Sequence, residues 1–529
     1  GDSTPISHYS KEFSGDLETI IEKSLRLETA RRYADAGELA DDLSRLIEHR
    51  PILARPPSHL YRGAKFLRRH RRFAFAALSI IAVLLTALLA SLSSLRVANE
   101  AEQRLRAEHE LTVRFSDKLL IDKLRSEVDQ LWPAHPSTLP KYDRWIAEAE
   151  RLASRLPLHQ TQLAGDETNP SSDNDQTGLV ELIEKLTHLV SDDGELPAIR
   201  ERREFALNLE KHTVLEHAEE WDRARKAIAE SPIYDGLELP EQIGLIPLEA
   251  DPQSGLWEFA LFGETGIAPE RHPKTDQWTI TEDTGVVFVL IPGSSFLFGA
   301  QKADPTAPNY DPAARSHEGP PELVTLDAFF LSKFEWTQAQ WLRVTGSNPS
   351  YFSAGDTLDH FVFDNRSPVE SVNWNQCMTV LIRLGLTLPT ETQWEYGLRA
   401  GSTSIYWSGN ETSSVLARSN MRSENPDWLA RKLRAHAPVG SFAPNAFGLH
   451  DMTGNVYEWC LDVFKEACRD WPLRDGDGLR LTPEGSERVR RGGTWNSNVK
   501  VSRSARRDEQ LQYSGHARTG FRSARLIDN

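Results

Sequence analysis

The chain has 529 residues, a hydrophobic share of 39% and a formal net charge of −16. That length suggests several domains and enough apolar material for at least one sizeable core. The charge argues against nucleic-acid binding, because no basic domain stands out beyond one cluster ahead of an apolar run. The cysteines Cys377, Cys460 and Cys468 are too few for a disulfide-built fold, and no cysteine or histidine spacing suggests a zinc site. Cys460 and Cys468 are able to pair if both lie outside the cytoplasm.

Residues 11–50 read as helical. Leu17, Ile20, Ile21, Leu25 and Leu27 give one apolar stripe, and Leu39, Leu43 and Leu46 give another. Pro51 and the Arg55-Pro56-Pro57 step end the pattern, and 58–72 reads as a basic linker. From Phe73 to Leu95 there is no charged residue. As a helix this run reaches ~34 Å, enough for a hydrocarbon core of roughly 30 Å. It is too long and too far into the chain for a cleaved signal peptide. Arg62, Lys65, Arg68, Arg69, Arg71 and Arg72 precede it, whereas Arg96 is soon followed by Glu100 and Glu102. The positive-inside rule therefore predicts a single span of the cell (inner) membrane, with a cytoplasmic N-terminal side and everything after the run extracytoplasmic. The first residues carry no signal peptide and read as interior sequence of something longer.

Residues 96–131 read as a helix leaving the membrane. Its spaced apolar positions Leu105, Phe115, Leu119, Leu124, Val128 and Leu131 suggest a homodimer through an imperfect heptad. Amphipathic helices follow over 140–156, 179–190 and 200–230, with a loop rich in Asp, Asn, Ser and Gly over 166–178. After residue 257 Trp, Gly, Pro and Asn become frequent, and 286–291 reads as a buried strand.

The stretch GDLETIIEKSLRLETARRY at 15–33 resembles the last helices of bacterial Ser/Thr protein kinases. Glu28-Thr29-Ala30-Arg31-Arg32 stands in place of that family's D-P-x-x-R pattern, with Arg32 at the arginine that buttresses the kinase C-lobe. ADDL at 40–43 and RPI at 50–52 continue the likeness. Kinase chemistry needs a Gly-rich phosphate cover, a lysine on its third strand, and aspartates in H-R-D and D-F-G; this sequence has none. APE at 268–270 lies beyond the apolar run and is coincidental. The resemblance implies the end of a kinase domain, with ATP bound only if an upstream kinase domain exists.

The C-terminal part resembles the formylglycine-generating enzyme family, also called sulfatase-modifying factors. The likeness rests on VVFVLIPGSSFLFG at 286–299, PVESVNW at 368–374, LPTETQWEY at 388–396 and RAG at 399–401. PVGSF at 438–442, PNAFGLHDMTGNVYEW at 444–459, RGGTW at 491–495 and GFR at 520–522 follow in the family's order. It implies a C-type-lectin-like fold with little regular structure and often bound calcium. By that resemblance Asp451 and Glu458 give side chains and Gly454 and Val456 give carbonyls to one calcium, a donor set suited to a hard cation. Many members have Asn where Asp451 stands. A second calcium site would involve Asn420, although no carboxylate partner for it is recognisable. Glu391, Glu395 and Glu458 sit beside tryptophans and read as structural, bonded to loop backbone, rather than as catalytic acids or bases.

The family's oxidase chemistry uses two copper-binding cysteines, and their positions here are Ser497 and Ser502. A serine hydroxyl is not ionised at neutral pH and is a poor ligand for copper(I), which argues against copper as a cofactor. Another branch of the family binds iron through H-x-x-x-H-x-E. The nearest residues here are His212, His217 and Glu219, but histidines five apart diverge by about 140° on a helix.

The sequence thus predicts a multidomain protein: a kinase C-lobe helical remnant at 1–57, a basic linker at 58–72 and a transmembrane helix at 73–95. An α-helical stalk at 96–235, a lead-in at 236–279 and an α+β C-type-lectin-like domain at 280–529 follow. The favoured function is signalling, with an unknown extracytoplasmic ligand or partner acting on a cytoplasmic kinase. The alternatives are an extracytoplasmic oxidase acting on a cysteine of a target protein, and a surface tether without signalling.

Overall fold

The computed structural model describes residues 5–56, 58–166, 173–358, 361–422, 435–467 and 470–528. It divides into two compact units, Gly1–Phe115 and Ser116–Asn529.

In the first unit a helix over Asp16–Ser24 is followed by a second over Ala36–Ile47. Asp35 caps the second by accepting a bond from Glu38 N at 2.9 Å. Leu25 and Leu27 fall past the end of the first helix and are exposed, so the predicted stripe is shorter than its spacing suggested. Two buried aspartates bind these helices to the segment that follows. Asp42 accepts bonds from Tyr33 Oη at 2.9 Å, Leu53 N at 2.6 Å and Ala54 N at 2.8 Å. Asp16 accepts from Tyr61 Oη at 2.7 Å and pairs with Lys65 Nζ at 2.6 Å. The basic stretch read as a linker is itself helical over His59–Arg69, because Ser58 caps it with a 3.1 Å bond from Tyr61 N.

A helix over Arg71–Glu127 contains the uncharged run. Among the described residues it is the one helix long and apolar enough to cross a membrane, and its apolar window is wholly exposed. Its last part belongs to the second unit, where Ile121 and Leu124 are buried against Tyr142, Trp145, Leu182 and Leu186. Leu105, Phe115 and Leu119 stay exposed. The predicted dimer seam is therefore split: its last apolar positions are used within the chain.

Helices over Leu139–Ala153, Leu156–Asp166, Asp173–Val190, Glu195–Thr213 and Ala218–Glu230 complete the helical region. Two expectations are corrected. Most of the polar stretch taken as a loop is helical, since one helix ends at Asp166 and the next begins at Asp173; residues 167–172 lie outside the described residues. The stretch 200–230 is two helices, broken by a tight turn at Leu215–His217. That break lets Trp221 turn inward and donate its indole N–H to Thr213 O at 2.8 Å.

The central sheet has five antiparallel strands in the order Leu245–Ala250, Trp257–Leu261, Val287–Ile291, Phe329–Ser332 and Ala524–Leu526. The stretch read as a lead-in thus supplies two of its strands. Phe259 faces Phe288, and Val289 and Ala524 both face Leu331 in register. The predicted strand at 286–291 is buried along its length. A second sheet orders Asp508–Leu511, Glu487–Arg491, Tyr457–Val463 and Thr519–Gly520, the last pair parallel. Three short helices, Gln338–Thr345, Trp374–Arg383 and Glu391–Arg399, each begin with a capping box, formed by Thr337 with Gln340, Asn373 with Gln376 and Thr390 with Gln393.

One apolar core joins the last helix of the helical region to the central sheet: Trp221, Ala224 and Ile228 pack with Phe259, Phe288 and Phe330. The Trp221 and Phe259 rings lie 5.6 Å apart. Trp221→Ala should cost about 3–5 kcal/mol, the usual range for a buried large aromatic. Chemical denaturation followed by helix and by aromatic signals should show both melting earlier and together.

Candidate functional site

The segment predicted to hold calcium is a tightly turned loop running into the strand Tyr457–Val463. Asp451, Gly454 and Asn455 have positive φ values of 56°, 82° and 54°. Glycine is required at 454: a Cβ there would sit 2.4 Å from the carbonyl oxygen of Asn420. The loop is stitched to two others, since Gly454 N donates to Gly492 O at 3.0 Å and Asn455 N to Asn420 O at 2.9 Å. Trp495 N donates to Asn455 O at 2.9 Å, which brings in the segment that carries Ser497.

Asp451 is buried and accepts a bond from Gly440 N at 2.7 Å; burial pushes its carboxyl up to about 6. Glu458 is also buried, and the fork of Arg522 grips both its oxygens at 2.6 and 2.7 Å while Trp394 Nε1 donates at 2.7 Å. Asn420 donates its side-chain amide to Ala435 O at 3.0 Å and Asn455 Oδ1 at 3.2 Å. A further carboxylate, Glu335, belongs to none of the motifs read from the sequence. It is fully buried beside the loop, accepting from Asn455 Nδ2 at 2.5 Å and Val456 N at 3.1 Å. Burial, and then the neighbouring Asp451 and Glu458, hold it well above the usual carboxylate range. Three buried carboxyls therefore share the single guanidinium of Arg522.

Tested against a calcium ion, this donor set fits in part. Among the described residues Asp451 has no cation of its own, and buried carboxyls in excess over cations suit a divalent ion. Glu458 is already neutralised by Arg522.

Ser497 and Ser502 are both bonded inside their own loop. Ser497 Oγ accepts from Thr494 N at 3.0 Å, and Ser502 Oγ donates to Val499 O at 2.8 Å. The other glutamates bind arginines more than loop backbone. Glu391 is gripped by both arms of Arg507 at 2.6 and 2.7 Å. Glu395 accepts from Gly299 N at 2.8 Å and Arg399 Nε at 2.9 Å and pairs with Arg491. His212 and His217 do not converge. His212 ends one helix and bonds Glu216 at 2.8 Å, whereas His217 lies in the turn after it. Cys460 is buried and free, and Cys468 lies outside the described residues.

Next to Gly440 and His450 lies a cavity of ≈ 280 Å³, polar on one wall. There Lys333 Nζ bonds Asp251 at 2.9 Å and Glu258 at 2.5 Å, and the Arg271 guanidinium sits 4.1 Å over the Trp278 ring.

Residues 276–527 match the Sulfatase-modifying factor enzyme 1-like domain, so the C-terminal part of the chain carries a domain of that family. The chain is 34% identical over 197 residues to a formylglycine-generating enzyme of Thermomonospora curvata, an alignment covering 35% of this chain and 63% of that relative. It is 27% identical over 403 residues to the serine/threonine-protein kinase pkn1 of Chlamydia pneumoniae, covering 72% of this chain and 59% of that one. The chain thus spans 63% and 59% of the lengths of these two relatives. Among solved structures, PvdO from Pseudomonas aeruginosa is 25% identical with a TM-score of 0.38, covering 46% of this chain and 95% of that one.

The Arg522–Glu458 pair holds the site together. Arg522→Met should destabilise the protein by about 3–5 kcal/mol, because it leaves Glu458 buried and unpaired. In equilibrium unfolding the double change with Glu458→Gln should cost less than the sum of the single changes.

Proposed function

We propose that this chain is the sensory part of a membrane-spanning Ser/Thr protein kinase whose extracytoplasmic domain binds a ligand or partner. The observation that carries this reading is the likeness to the chlamydial kinase, which at 403 residues extends well beyond the domain at 276–527. In this reading the run from Phe73 to Leu95 crosses the membrane, with the arginines before it in the cytoplasm. The helical region stands outside, and ATP belongs to a kinase domain upstream. Two copies pair along the exposed Leu105, Phe115 and Leu119. The C-terminal domain binds rather than oxidises, since Ser497 and Ser502 stand where the family's reactive cysteines would be. In membranes containing the complete protein, deletion of residues 276–527 should change autophosphorylation; unchanged output would refute the reading.

We also propose that the loop after His450 holds a calcium ion. Asp451 would bind it through its carboxyl and Gly454 and Val456 through their carbonyls, with Glu458 shared with Arg522. The excess of buried carboxyls over guanidinium supports this, and the ion would supply the missing positive charge. Calcium should raise the melting temperature of the chelator-treated protein. Asp451→Asn should shrink that rise while leaving the bond from Gly440 in place. Equal melting curves with calcium and with chelator would exclude the site.

A further inference from the structure

A cavity of ≈ 690 Å³ lies where the helical region meets the C-terminal domain, within the second unit. Its volume is in the range of sites that enclose small organic molecules. One wall comes from the helical region: Trp132, after the long helix, and Arg202 and Phe205 on the helix Glu195–Thr213. The facing wall has Phe262, after the second strand of the central sheet, and Arg383 and Leu384 at the end of the helix Trp374–Arg383.

Both arginines are turned to the same indole. The Arg202 guanidinium lies 4.0 Å from the Trp132 ring centroid and that of Arg383 5.8 Å from it. Neither forms an ion pair or a hydrogen bond with another described residue, and Arg202 Nη1 is buried without a partner. This sets them apart from Arg491, Arg503, Arg507 and Arg522, each of which is bonded to a carboxylate. Arg525, also on the cavity wall, is bonded to Asp528 and to Ile243 O. Glu201 and Glu264 line the cavity but are exposed and pair with neither arginine. Burial, and then Arg383, make the charged form of Arg202 harder to hold, and Tyr142, Glu264 and Asp129 offset this only in part. Two unpaired guanidinium forks beside one aromatic face are suited to an anion, and a carboxylate matches such a fork with two parallel bonds.

We propose that this cavity binds a small organic anion, its carboxylate held between Arg202 and Arg383 and its apolar body against Phe205, Phe262 and Leu384. This deepens the sensor reading, on which its role in signalling rests. It places the ligand at a seam between two regions, away from Ser497 and Ser502.

The test is calorimetric titration of the full chain, reconstituted in lipid nanodiscs, with phenylacetate, octanoate and the neutral phenylacetamide. The carboxylates should bind, and the amide should bind roughly tenfold or more weakly, the loss expected when a charge-assisted pair is removed. Arg202→Met with Arg383→Met should weaken the carboxylates by a similar factor. Arg202→Lys with Arg383→Lys, which keeps both charges and the stems over Trp132, should fall between the two. Circular dichroism melting separates lost binding from lost folding. Equal binding of amide and acid, undiminished binding by the methionine variant, or no binding of either carboxylate at millimolar concentration would each overturn the proposal. Binding is read without phosphorylation, so carboxylate binding that leaves kinase output unchanged would refute the sensor reading and leave the site standing.

Discussion

A guanidinium sealed away from water must be matched by a carboxylate and have its remaining N–H groups bonded, and the C-terminal domain is arranged around one that is. Arg522 is fully buried. It grips Glu458, at the start of one sheet, and reaches Ser332 O at 2.9 Å, at the end of a strand of the other. A further bond to His450 O at 2.8 Å fixes the entry to the loop that carries Asp451. Removing both charges from water costs about as much as their attraction returns, so such a pair adds little net stability; its consequence is that a misplaced strand leaves a charge unpaired. With strands of two to seven residues, register needs some such constraint. Arg503 with Glu318 and Arg507 with Glu391 repeat the device.

Features set by near neighbours were readable from the residues. The uncharged run, the buried strand before Pro292 and the loop glycines all depend on local spacing, and the structure places each in the predicted kind of element. The pattern failed where distant partners decide. Leu245–Ala250 contains a proline and reads as a connection, yet it pairs with Trp257–Leu261 at the edge of the central sheet, where a missing N–H is tolerated. Glu335 belongs to no motif and gains its role from Asn455 and Val456, which lie more than a hundred residues later. The break before Trp221 was equally hidden, because the contacts that go with it, the indole's bond to Thr213 O and its packing on Phe259, are made with parts of the chain that no local pattern reveals. At the candidate site the motif named Asp451, Gly454, Val456 and Glu458, and the GFR stretch included Arg522, but no local spacing tied that arginine to a glutamate 64 residues earlier.

The serines bear on what this domain is for. Ser497 bonds Thr494 N and the Tyr457 side chain, and Ser502 bonds Val499 O, so both hydroxyls are engaged in structural hydrogen bonds. A hydroxyl in that role is neither ionised nor poised beside a base. The scaffold around it retains the glycine turn at 492–493 and the buried arginines. One architecture carries several functions, so the fold by itself assigns no chemistry here.

What such a scaffold would need in order to signal is a ligand contact that differs between two states. A ligand held by one rigid body alone supplies none. The cavity that holds Arg202 and Arg383 is bounded by two regions, and each contributes one guanidinium without a carboxylate partner, Arg525 on the same wall being bonded to Asp528. An anion between them would draw the regions together, and its absence would leave two like charges facing one indole. Any difference in their separation therefore becomes a difference in anion affinity, and by reciprocity the anion biases that separation. The helix Arg71–Glu127 packs through Ile121 and Leu124 into the same helical region that carries Arg202.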